Sequence, residues 1–174
     1  KEHPNGPEGT NALWRIAQCR REELTGAIAA AKAALAKPGA TAPEIAAANA
    51  AQAQALKDLR QATDTFQAQS ATLDKKAPGA EPQIKMLYEL AWCYRVLADG
   101  ETDSLRQKAR AEILQKLQDK LAKDVPSGQA PPPWMAPDVS AAALPEPPAE
   151  KRAKEFYQEI LSAGGDSRLA NQVR

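Results

Sequence analysis

The stretch LYELAWCYRVLADG, residues 87–100, decides the fold. Together with Met86, its residues Leu87, Leu90, Cys93, Tyr94 and Leu97 recur at three- and four-residue steps, which places them on one side of a helix. Tyr88, Ala91, Trp92 and Val96 widen that side enough to be covered by two neighbouring helices. Gly100 predicts a stop, with Thr102 or Asp103 capping whatever follows. A weaker copy, LWRIAQCRREELTG, occupies residues 13–26. It sets Leu13 on Leu87, Trp14 on Tyr88, Ile16 on Leu90, Ala17 on Ala91, Cys19 on Cys93 and Arg21 on Arg95. Tyr88, Trp92 and Tyr94 stand at helical spacing, so core packing is expected of them. An aromatic cage for a cation is the competing reading.

Working outward, the 174 residues suit one domain or one short helical array. The chain is 43% hydrophobic but only 5% aromatic. Much of the apolar count is alanine, which favours helix but buries little area, so thin seams between helices are expected. A net charge of +1 gives no overall attraction to nucleic acid. No apolar run approaches the roughly 20 residues that span a bilayer. Two cysteines, Cys19 and Cys93, are too few for a disulfide scaffold or a cysteine metal site. Their matching places predict small buried thiols, with a disulfide between stacked helices as the alternative. His3, the single histidine, sits in turn material without ligating neighbours. No cofactor or metal set and no acid–base pair stands out, so a non-enzyme is expected.

Along the chain, residues 1–11 are turn-rich, and Thr10 or Asn11 can cap a first helix over 11–37. Leu13, Ala17, Arg20, Leu24, Ala27 or Ile28, Ala31 and Leu35 mark its covered face. In the turn KPGATAPE, Thr41 and Glu44 have capping-box spacing and Pro43 sits early in the next helix. That second helix should reach about residue 76. Ile45, Gln52, Leu59, Phe66 and Leu73 recur every seven residues, with Ala48, Ala55 and Ala62 between them. The short turn predicts antiparallel packing of helices one and two, and a coiled coil with another chain is the alternative. A third helix over 82–98 and a fourth over 103–124 follow. The fourth carries Leu105, Ala109, Ile113, Leu117 and Leu121 at four-residue steps. Its Arg and Lys are interspersed with Glu112, Asp119 and Asp124, the pattern of a solvated face.

The expected organisation is a helical domain over 1–125, made of a long hairpin (11–76) and a helical pair (82–124). A proline-rich strap or linker covers 126–148. A C-terminal part, 149–174, holds a fifth helix and the start of a further unit. The proline-rich part cannot hold a long helix or a central strand. Either Trp134 and Met135 plug a groove between helices, or the segment is a linker or a peptide for a polyproline-binding module. Ala149, Ala153, Phe156, Tyr157, Ile160 and Leu161 form the face of the fifth helix, ended by SAGGD.

The pairs Leu87, Leu90, Ala91, Tyr94 and Leu13, Ile16, Ala17, Arg20 resemble the first helices of tetratricopeptide repeats. EHPNGPEGTNALWRIAQ, residues 2–18, is similar to the repeat junctions of periplasmic assembly factors with such repeats. EFYQEILSAGGDSRLANQVR, residues 155–174, resembles a second repeat helix and its junction, with Gly165 in place of the usual proline. The two copies lie 74 residues apart, where two 34-residue repeats span 68. The resemblance implies an all-α array of antiparallel helical pairs with an elongated hairpin, continuing beyond both ends of this sequence. It implies a protein-interaction scaffold or adaptor, periplasmic or envelope-associated, with a cytoplasmic place as the alternative. The partner expected is a protein or peptide, with no nucleic acid and no direct membrane insertion. Arg95, Arg106 and Arg110, with Trp134 and Met135, are the candidate partner-binding residues. A structural oligomerisation element is the alternative function.

Overall fold

The computed structural model describes residues 7–72, 81–124 and 144–164. All regular structure among them is helical: α1 (Pro7–Leu35), α2 (Ala42–Ala71), α3 (Glu81–Asp124) and α4 (Pro148–Gly164). By internal contacts the chain divides into two units, Lys1–Ala98 with Pro148–Arg174, and Asp99–Pro147.

The first unit is an antiparallel four-helix bundle, and its core residues give the directions. Near one end, Leu24 and Ile28 of α1 meet Ala55 and Leu59 of α2, Cys93, Tyr94, Leu97 and Ala98 of α3, and Ala149 and Ala153 of α4. Towards the other end, Ala17 meets Phe66, Met86 and Leu90, and Ile84, Leu87 and Ala91 meet Ile160. Residue numbers rise together along α1 and α3 and fall along α2 and α4, so α1 pairs antiparallel with α2 and α3 with α4. This is the helix-pair arrangement of helical repeat folds in general. It carries the expected antiparallel hairpin.

Local chemistry sets the turn between α1 and α2. The Glu44 carboxylate accepts the Thr41 backbone N–H at 2.7 Å and the Thr41 hydroxyl at 2.7 Å, so the capping box is present and α2 starts where it predicts. These bonds hold the Glu44 carboxyl below the ordinary carboxylate value. Gly39, at φ 75°, supplies the left-handed residue that reverses the chain after α1.

Several expectations are corrected. α1 begins at Pro7, ahead of Thr10 and Asn11, because proline suits the first helical turn; Thr10 is buried instead. Helices three and four are one helix, with no stop at Gly100 and no cap at Thr102 or Asp103. A break leaves up to four N–H and four C=O groups without helical partners, whereas one interior glycine costs about 1 kcal/mol. The long alanine-rich stripe of α2 is real at Ala48, Ala55, Leu59 and Phe66, yet Ile45 is 40% exposed. Leu59 and Phe66 lie against helices of the same chain.

The two copies of the repeated stretch are only partly equivalent. Ala17 and Ala91 are both fully buried, but Ile16 is 60% exposed where Leu90 is buried. Cys93 is buried and Cys19 exposed, and both are free. The proximal part of α3 is covered by α1, α2 and α4, so far more of its circumference is apolar. Burial pushes the Cys93 thiol up to about 11. Beside it Thr63 is fully buried, its hydroxyl donating to the Leu59 carbonyl at 2.6 Å.

In the second unit, no residue of α3 from Asp99 to Lys116 is buried. Leu105, Ala109 and Ile113 are half-buried and Leu114 is exposed. Residues 126–143, which include Trp134 and Met135, lie outside the described residues, as do His3 and residues 165–174.

Candidate functional site

At 3.6 residues per turn, Tyr88 and Trp92 stand opposite Leu90 on α3. Leu90 points into the core; Trp92 reaches the outer side of the bundle, and Tyr88 packs half-buried against Ile84, Leu87, Ala91 and Ile160. The two ring centroids are 6.4 Å apart with planes tilted by 33°. Trp92 is 37% exposed, while Tyr88 is half-buried. Tyr94, by contrast, is buried and stacks on Phe156 at 5.7 Å. Its hydroxyl donates to Gln67 Oε1 at 2.6 Å. The three aromatics therefore make no cage: Tyr94 is buried in the core, Tyr88 packs half-buried against the Ile160 cluster, and Trp92 is exposed.

Cations from two helices line the outer rings. The Arg21 guanidinium of α1 lies 5.5 Å from the Trp92 ring centre while its Nε donates to the Glu89 carboxylate of α3. Glu89 is buried, so this pair fixes Arg21 over the indole and ties α1 to α3. Further along, Lys85 Nζ sits 4.8 Å from the centre of Trp14 and 2.8 Å from Glu81 Oε1. Arg15 lies 4.6 Å from the same ring. Among the described residues, no buried side-chain polar atom lacks a hydrogen-bond partner.

Of the residues singled out from sequence, Arg95 belongs to this face. It is exposed, and its charge acts on the Tyr157 hydroxyl of α4. Burial pushes that hydroxyl upward, and the Arg95 charge opposes the shift. Arg106 and Arg110 are exposed in the second unit, with Arg106 Nη1 3.9 Å from Asp103 Oδ1. Trp134 and Met135 fall outside the described residues. Trp92, Tyr88 and Arg21 are not among the partner-binding candidates, the two aromatics having entered only in the competing cage reading. The signal for the two aromatics lies in the helical angle: they stand four residues apart, on the side of α3 away from Leu90.

The face offers flat aromatic area beside fixed guanidinium groups, the combination enriched at protein interfaces. Among the described residues, no group of three or more His, Cys, Asp and Glu side chains converges to hold a metal ion. No helix among them is long and apolar enough to cross a membrane. Compared with protein-family models, curated proteins and solved structures, the chain matches none.

Proposed function

We propose that this protein is a non-catalytic helical scaffold that binds a protein or peptide partner across the outer side of α3. The observation that carries the reading is the exposed Trp92, tilted beside Tyr88 and held under Arg21, with Arg95 on the same helix. An indole already flanked by an ordered guanidinium loses little side-chain freedom on binding, so more of its contact energy remains as affinity. Tetratricopeptide-like architecture and an envelope-associated location belong to this proposal. Arg106 and Arg110 are proposed by themselves as contact residues of the second unit.

A photo-crosslinking amino acid placed at Arg95, in the native host, tests the reading. A discrete cross-linked protein is expected, and Trp92→Ala should reduce its yield about tenfold or more, on the scale of an interface hot spot. Lys57→Ala, on α2, should leave the yield unchanged. Equal yields from the Trp92→Ala and parent chains would remove this face from the interface. Fractionation of the host settles the compartment.

A further inference from the structure

The α1–α2 connection is a turn of six residues, 36–41. The bundle reaches α4 differently. Ala98 and Ala149 lie in the same core cluster, yet the whole unit Asp99–Pro147 separates them in sequence. No tight turn holds α4 against α3. What holds it is its own face: Ala149, Ala153 and Ile160 are buried, with Phe156 and Tyr157 half-buried beside them. At the rim, the Arg152 charge acts on the Tyr94 hydroxyl and the Arg95 charge on that of Tyr157.

The sequence of α4 also supports helix apart from the groove. AEKRAKEFYQEI is built from strong helix formers. Glu150 and Lys154 pair at 3.0 Å four residues apart, and Arg152 and Glu155 at 2.7 Å three apart. An undocked α4 therefore keeps part of its helical surface. The groove it leaves, lined by Ile84, Leu87, Ala91 and Tyr94, is apolar and needs cover.

We propose that α4 is an exchangeable helix, and that the groove it fills takes the α4 of a second copy of this chain. The occupant's chemistry is set by what already fits: small residues at positions 149 and 153, aromatics at 156 and 157, isoleucine at 160. A second copy presents that pattern unchanged. Reciprocal exchange preserves every contact between α4 and the groove in both copies and closes the pair with two-fold symmetry. The monomer and the exchanged dimer then differ in the entropy of association, so protein concentration selects between them.

Two measurements on the intact chain test this. The first adds a fluorescent peptide of residues 148–164 to the wild-type chain. Saturable binding is expected, weakened about tenfold or more in a peptide carrying Ile160→Asp. No binding at near-millimolar peptide overturns the proposal. The second refolds the chain at low-micromolar and at near-millimolar concentration and reads its mass by light scattering. A dimer at the higher concentration is expected, absent from a chain carrying Ile160→Asp. A wild-type chain monomeric at both concentrations overturns exchange between copies, even if the peptide binds. So does a dimer that the Ile160→Asp chain forms equally well.

Discussion

Replacing Arg21 or Glu89 should have unequal effects, because the two ends of their ion pair are buried to different degrees. The Glu89 side chain is 6% exposed and that of Arg21 15%. Arg21→Ala leaves the carboxylate inside the α1–α3 seam with no cation to meet it. Breaking a buried pair costs about 3–5 kcal/mol, and the site near the surface puts this case at about 3. Glu89→Ala leaves a long, partly exposed guanidinium that already has Glu22 at 3.5 Å and can turn outward. Its cost should be about 1–2 kcal/mol. The double replacement Arg21→Met with Glu89→Leu should fall within about 1 kcal/mol of the parent, since apolar packing replaces both charges. Urea titrations followed by far-UV circular dichroism give the three values from shifts in midpoint at constant slope. Equal losses from the two alanine variants, or a loss below about 1 kcal/mol for Arg21→Ala, would mean that the pair is solvated. Arg21 would then not be fixed over Trp92.

Three further outcomes follow from local geometry. Gly26 lies inside α1 with nothing within 4 Å of an added Cβ, so Gly26→Ala should stabilise the chain by up to about 1 kcal/mol; Gly39→Ala, at φ 75°, should destabilise it by about 1, and thermal melts separate the two signs. The Glu44 carboxyl is held below its ordinary value of 4.5, so its contribution is present above that pH and lost as the pH falls through the folded-state value. The gap in urea midpoint between Glu44→Ala and the parent should therefore close as the pH is lowered below 4.5, and a gap that persists in acid would contradict the cap. With Cys19 exposed and the Cys93 thiol buried and raised to about 11, a thiol reagent near pH 8 should label one site on the folded chain and two in urea. Equal labelling rates for both thiols would contradict the burial of Cys93.

What was legible in the sequence was local. Thr41 and Glu44 are three residues apart, and the interaction between them is complete without any tertiary partner. The stripe Met86, Leu87, Leu90, Cys93, Tyr94 and Leu97 likewise needs only the helical period, and all six are buried. Periodicity does not say how many neighbours a helix has. For that reason the alignment of Cys19 with Cys93 and of Ile16 with Leu90 suggested equal environments that the fold does not provide. The pairing of Arg21 with Glu89 spans 68 positions and follows from the parallel register of α1 and α3, which no short motif encodes. Gly100 misled for a different reason: its propensity cost is real but smaller than the cost of ending a helix. Of the proposed site, Arg95 draws notice by its charge, while Trp92 reads as core because it sits among apolar residues at helical spacing.

The meeting of Ala98 with Ala149 also sets a clock on biosynthesis. When α3 has left the ribosome as far as Ala98, α1, α2 and most of the groove residues already exist, but the helix that covers Ile84, Leu87 and Ala91 does not. The roughly 50 residues of the second unit come first, and at about 5–20 residues per second they take about 2–10 s. For that interval Ile84, Leu87 and Ala91 have no α4 to cover them. Synonymous codon choice within residues 99–147 lengthens or shortens that window without altering a single contact in the finished protein.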